Sequence, residues 1–207
     1  MSILNLIFAR RAHEVPETQP SRFEVPRRSR PSNIAGSPSA ECAAEMLAAP
    51  GSLLKLSIDE ARVVVSYMRP RRIEEGTMFI REGDEENTGF MVLVLEGEVT
   101  VESSLANRTH PLTFTVLGPG SLIGEMGLLD GAPRSASCTA MTDLRCGVLT
   151  RAALNQLLDR EPRIAAKLVM AISRRMAERM RDSQEKLKMY SQLTQAMNEE
   201  INELMPV

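Results

Sequence analysis

The residue types best placed to do chemistry lie in "GEMGLLDGAPRSA", residues 124–136, where a single Glu and a single Arg stand nine positions apart among glycines and turn formers. The spacing predicts that Gly124 leaves a strand and that Met126 to Leu129 form a short helical turn with Glu125 at its entrance. Backbone N–H groups at such an entrance have no partners within the turn and favour an anionic oxygen. Gly124, without a Cβ, lets a ligand approach the main chain. Asp130, Gly131 and Ala132 turn the chain back, Pro133 stiffens the return, and Arg134 begins the next strand with a guanidinium able to give a phosphate two parallel donors. An ionised Glu only accepts hydrogen bonds, so the target of Glu125 is a hydroxyl set apart from the anion. Phosphate and hydroxyl on one small rigid body describe a ribose phosphate. Ser135 adds a hydroxyl and Ala136 keeps the wall low. The competing reading is an exposed Glu125–Arg134 ion pair, worth little.

Other chemistries have weaker support. His13 and His110 do not make the imidazole cluster of a metalloenzyme, and no Ser-His or Cys-His pair is apparent. Neither an enzyme nor a bound metal or cofactor is expected. Cys42, Cys138 and Cys146 lack metal or disulfide spacing and read as small apolar groups. With 25 basic against 27 acidic residues and a net charge of −2, the 207-residue chain has no excess of cations for nucleic acid. The opening "MSILNLIFARRAH" does not have the order of a secretory signal, and no segment reaches the length of a membrane span. The expectation is a cytoplasmic protein, with residues 1–12 an undocked terminus rather than a membrane contact.

The elements that must hold the loop follow from texture. Residues 1–40, with Pro16, Pro20, Pro26, Pro31 and Pro38 and the cluster "PRRSRP", read as a tail. Order is expected from Glu41 in "ECAAEMLAA", then in a helix from Ile58 to Met68 behind a Ser57/Glu60 capping box, stopped by Arg69–Arg72 with Pro70. From Ile73 to Leu149, β-prone runs such as "FMVLVLEG", "EVTVES", "LTFTVL" and "CGVLT" alternate with glycine turns. The fold class is therefore mainly β, a jelly roll with flanking helices, over residues 41–160. Thr150 caps a first helix. Pro162 opens a second, across 161–207, whose Met176, Met180, Leu187, Tyr190, Met197, Ile201 and Leu204, with Ser183 and Thr194 between, follow a heptad seam. A stripe that long needs a second chain or another partner, and a homodimer through a coiled coil is expected.

"IGEMGLLDGAPRSASCTA" resembles the phosphate-binding cassette of cyclic nucleotide-binding domains of the catabolite activator and protein kinase A regulatory-subunit type. "EEGTMFIREGDEENTGFMVLVLEGEVTV" looks like that family's earlier strands, and the resemblance covers residues 52–185. It implies a jelly roll flanked by helices that holds a cyclic nucleotide monophosphate, cAMP on the family's base rates because Ser135 does not discriminate between bases; the mechanism expected is a non-catalytic receptor that signals to a protein effector by moving its helices. In that family Arg134 would hold the cyclic phosphate and Glu125 the ribose 2′-hydroxyl. Gly124, Met126 and Ser135 would add contacts near the phosphate, while Arg179 and Met180 would cover the base. A helix-turn-helix domain is lacking, so no DNA binding is expected. A silent-pocket dimeric scaffold, and a receptor for cGMP or a cyclic dinucleotide, are the alternatives.

Overall fold

A computed structural model of the chain describes residues 37–49, 56–103 and 112–204. Helix α1 (Pro38–Ala48) starts ahead of the expected Glu41, because Ser37 caps it through the Ala40 N–H and Pro38 occupies the first turn, where a missing N–H costs nothing. Helix α2 (Ile58–Ser66) has the reciprocal Ser57/Glu60 capping box. The expected tail, its membrane contact, His13 and His110 lie outside the described residues.

The arginines expected only to stop α2 instead pair as a strand, β1 (Arg69–Ile73). Pro70 is tolerated there because β1 is the edge of its sheet. Strands β2 (Met78–Ile80), β3 (Phe90–Glu96), β4 (Val99–Ser103), β5 (Leu112–Leu117) and β6 (Leu122–Ile123) follow. Helix α3 (Glu125–Asp130) separates β6 from β7 (Ser137–Ala140) and β8 (Leu144–Thr150). The strands form two antiparallel four-stranded sheets, β1-β8-β3-β6 and β2-β7-β4-β5, and this is the expected jelly roll.

The strand β3 explains why "FMVLVLE" has no apolar alternation. Phe90, Val92 and Val94 fill the core between the sheets, while Met91, Leu93 and Leu95 fill a second core under the helices. A strand covered on both faces reads as a continuous apolar run. The second core is closed by α1, α2, α4 (Arg151–Arg160, capped by Thr150) and the start of α5 (Pro162–Leu204). Burial along α5 ends near Ala177, and residues 178–200 are all exposed, about 35 Å of helix at 1.5 Å per residue.

Candidate functional site

Leu122 and Ile123 end β6 inside the roll, and Gly124 turns the chain with φ 81° into α3. A Cβ there would lie 2.7 Å from Nη1 of Arg134 and 3.2 Å from the Phe90 carbonyl oxygen, so glycine is required by both conformation and space. Gly127 is nearly as tight, 3.1 Å from the same nitrogen and from the Thr88 carbonyl oxygen. Residues 124–127 are thus wrapped around the guanidinium.

Arg134 and Glu125 are 5% and 3% exposed, which removes the exposed ion pair between them. They are not partners at all. Arg134 donates from Nε and Nη2 to the Asn87 carbonyl oxygen (3.0 and 2.6 Å), from Nη2 to Phe90 O (3.0 Å) and from Nη1 to Gly124 O (2.8 Å). Its guanidinium carbon lies 4.4 Å from the centre of the Phe90 ring. Four of five N–H donors are thereby used. The guanidinium is seated among backbone acceptors, because a charge removed from water must be matched by oxygens. Burial lowers the Arg134 pKa from its ordinary value, opposed by the nearby Cys138, Asp84 and Glu125.

The seat itself comes from "GDEEN". Asp84 accepts from the amides of Glu86 and Asn87 and from Asn87 Nδ2, and these bonds bring its carboxyl below the usual range against the upward push of burial. Main-chain bonds tie this loop to the cassette, from Gly83 N to Arg134 O (2.8 Å) and from Arg134 N to Asp84 O (3.0 Å). Sequence reasoning gave this segment only glycine turns between strands and missed Asn87, Thr88 and Phe90. Their contribution is carbonyl oxygen, which every residue type has.

Glu125 is instead held by α5: Arg179 Nη1 donates to its Oε1 at 2.6 Å, a bond between a side chain 51% exposed and one 4% exposed. The sequence places Arg179 over a base, whereas the structure places it on the carboxylate. Met180, expected beside it, is 60% exposed and does not line the cavity. Gly124, Glu125, Met126, Arg134, Ser135, Ala136 and Arg179 do surround one cavity of about 50 Å³, floored by apolar groups such as Ile80, Val101 and Cys138. Met126 is 42% exposed, and Ser135 Oγ lies 3.9 Å from its sulfur. Arg151 braces α3 from below through Nη2 to the Gly127 carbonyl oxygen at 2.6 Å. No group of His, Cys, Asp and Glu able to hold a metal occurs among the described residues.

An antiparallel roll that seats a buried arginine and a buried carboxylate on one glycine-rich turn, with a helix laid across the mouth, defines the class of small-ligand regulatory domains. The model of the cyclic nucleotide-binding domain family matches residues 70–161. A crystal structure of a cyclic nucleotide-binding domain from Methylobacillus flagellatus KT superposes with a TM-score of 0.62 at 31% identity, over 71% of this chain and 81% of that one. A cyclic AMP receptor protein of Thermus thermophilus is 34% identical over 59% of this chain and 56% of its own length. A cyclic nucleotide-gated potassium channel of Rhizobium etli is 37% identical over 39% of this chain and 20% of its own. The chain belongs to the cyclic nucleotide-binding domain family. It spans a little over half the length of the first of these curated relatives, and no helix-turn-helix follows the roll among the described residues. No helix among those residues is long and apolar enough to cross a membrane.

Proposed function

We propose that the chain is a non-catalytic cyclic nucleotide receptor, with Arg134 and the α3 entrance taking the cyclic phosphate and Glu125 the ribose 2′-hydroxyl. The observation that carries this is the buried Glu125 carboxylate, whose partner is a half-exposed arginine on another element. A hydroxyl is the group that satisfies such an acceptor when the arginine leaves. Gly124 and Gly127 leave Nη1 of Arg134 beside the turn, with its remaining N–H for an anion. The adenine nucleotide is the expected ligand.

Binding must also open the site. The cavity of about 50 Å³ is well below the roughly 300 Å³ at which small-molecule pockets begin. Opening it means lifting Arg179, and with it the α5 segment just beyond its last buried turn. The ligand therefore differs in affinity for two positions of α5, as coupling between sites requires. The exposed half of α5 carries the output: Leu187, Tyr190 and Met197 are each more than half exposed, and with Met180 they form the stripe for a homodimeric coiled coil or a protein effector rather than DNA. The setting is cytoplasmic.

One observation favours a second reading. Arg134 is largely satisfied by carbonyls, as it would be in a silent pocket that only braces a dimeric scaffold. Calorimetric titration with cyclic AMP, cyclic GMP and a cyclic dinucleotide decides between them, with Glu125→Gln as the site variant. Saturable heat for one of the three, weakened by the variant, supports the receptor. No heat from any leaves the scaffold, and the dimer is then tested by mass with and without residues 186–207.

A further inference from the structure

On the helix-covered face of the β1-β8-β3-β6 sheet, away from the cassette, a cavity of about 320 Å³ opens between the first turn of α1 and strands β1 and β8. Ser39, Arg71, Arg72 and Arg145 supply its polar wall, and Pro70, Leu95 and Cys146 its apolar one. Its size is that of an ordinary small-ligand site.

The charges around it are unbalanced. The register sets Arg72 directly opposite Arg145, and like charges on facing cross-strand positions repel. Arg145 is neutralised by Glu96 (2.9 Å) and also donates to Ser39 Oγ (2.5 Å). Arg71 and Arg72 have no side-chain hydrogen bond or ion pair among the described residues, and no carboxylate is among the residues forming the wall. By the register Arg71 pairs with Cys146 and stands on the opposite face, so Arg72 is the guanidinium left without a counter-charge beside Arg145, which is held in place. Glu96 and Ser39 fix Arg145 while Arg72 stays exposed on the edge strand, so the fork is half rigid and half adaptable. Such paired planar donors match the oxygens of a phosphate. The positive end of the α1 dipole adds to the same field.

We propose that this cavity is a second anion site, taking the phosphate group of a small phosphate ester, separate from the cassette and independent of what the cassette binds. The phosphate could be carried by a soluble metabolite or by a lipid headgroup, and both present the same chemistry to Arg72 and Arg145.

The test uses the full chain, isotope-labelled, titrated with inorganic pyrophosphate while backbone amide signals are followed. Saturable shifts centred on Ser39, Arg71, Arg72 and Arg145, weakened about five- to tenfold in Arg72→Gln, support the site. Arg72 is exposed, so the variant keeps its fold. Sedimentation with phosphatidylcholine vesicles, with and without phosphatidylinositol 4-phosphate, identifies the source. Binding only to the phosphorylated vesicles, lost in Arg72→Gln, assigns the lipid headgroup; pyrophosphate shifts without vesicle binding assign a soluble ester. The proposal is overturned if neither probe binds there, if Arg72→Gln behaves as wild type, or if shifts are confined to residues 124–136.

Discussion

The two sides of the cassette are held by arginines of opposite character. Arg134, from the roll, is 5% exposed, gives four hydrogen bonds to three carbonyl oxygens and lies over an aromatic ring. Arg179, from α5, is half exposed and has a single carboxylate partner. The first cannot leave without stranding three buried oxygens, whereas the second already has half its side chain in water and leaves one carboxylate, which a ligand hydroxyl can satisfy. A site with one fixed wall and one releasable wall can register a ligand as movement, because the displacement is directed to the element that is loosely held.

The most severe way to break this comparison is Arg134→Ala. It strands the Asn87, Gly124 and Phe90 carbonyls in the interior, with an expected loss of about 3–5 kcal/mol in chemical unfolding, and removes cyclic nucleotide binding by more than about 100-fold. Arg134→Lys keeps a charge but not the fork, and is expected to fall between the variant and wild type on both measurements. A variant of wild-type stability would mean that the fixed wall is not fixed.

Gly124→Ala attacks the same wall through the backbone. At φ 81° and with a Cβ 2.7 Å from Arg134 Nη1, it is expected to cost about 2–3 kcal/mol. Gly131→Ala is the matched control. Its φ is 74°, but the added Cβ meets the end of the flexible Arg151 side chain at 3.0 Å, and the expected cost is about 1 kcal/mol. Equal losses in the two variants would show that strain, and not the seating of Arg134, makes Gly124 necessary.

The fixed half also carries a pH signature. Burial pushes the thiols of Cys138, in the cassette wall, and Cys146, on β8, from 9.0 up to about 12. A raised acid is neutral in the fold and ionises first in the unfolded chain. Its stabilisation is therefore complete below pH 9 and is lost as pH rises toward 12. At pH 10 the expected loss is about 1 kcal/mol for each thiol. Urea unfolding at pH 8 and pH 10 checks this against a Cys138→Ala, Cys146→Ala variant, which should lack that part of the decline. An identical decline in both proteins would place the alkaline sensitivity elsewhere.

How much of this was legible before the structure follows from what each interaction is made of. Glu125 and Arg134 could be found because side-chain chemistry and turn glycines are written in residue types. The jelly roll could be found because its strands are apolar and punctuated. The seat of Arg134 could not, since its acceptors are main-chain oxygens of residues 87, 90 and 124 brought together by the fold. Arg69–Arg72 failed as a strand reading because an edge strand with charged residues and a proline lacks alternation. Arg179 was placed on the right helix at the right height, and without ligand it bonds Glu125, a contact that residue types did not announce. A heptad register gives the phase of α5 against itself, and the distance from the roll depends on how α4 and the first turns of α5 pack.

Arg179→Gln is the smallest perturbation and the one that sharpens the comparison most. If the proposed receptor function holds, Arg179 and a ligand hydroxyl compete for Glu125, so removing the guanidinium lowers the cost of entry. Cyclic nucleotide affinity should then rise by about three- to fivefold, the scale of one half-exposed ion pair. Gln at 179 can still donate to Glu125, which keeps the buried carboxylate satisfied and separates competition from misfolding. Amide exchange in the turns of α5 around residues 176–183 should quicken in the unliganded variant toward the rate that ligand produces in wild type. A fall in affinity would instead mean that Arg179 stays on the ligand, as a helix residue covering the base would. The releasable wall would then be a clamp, and the movement of α5 would be toward the roll on binding rather than away from it.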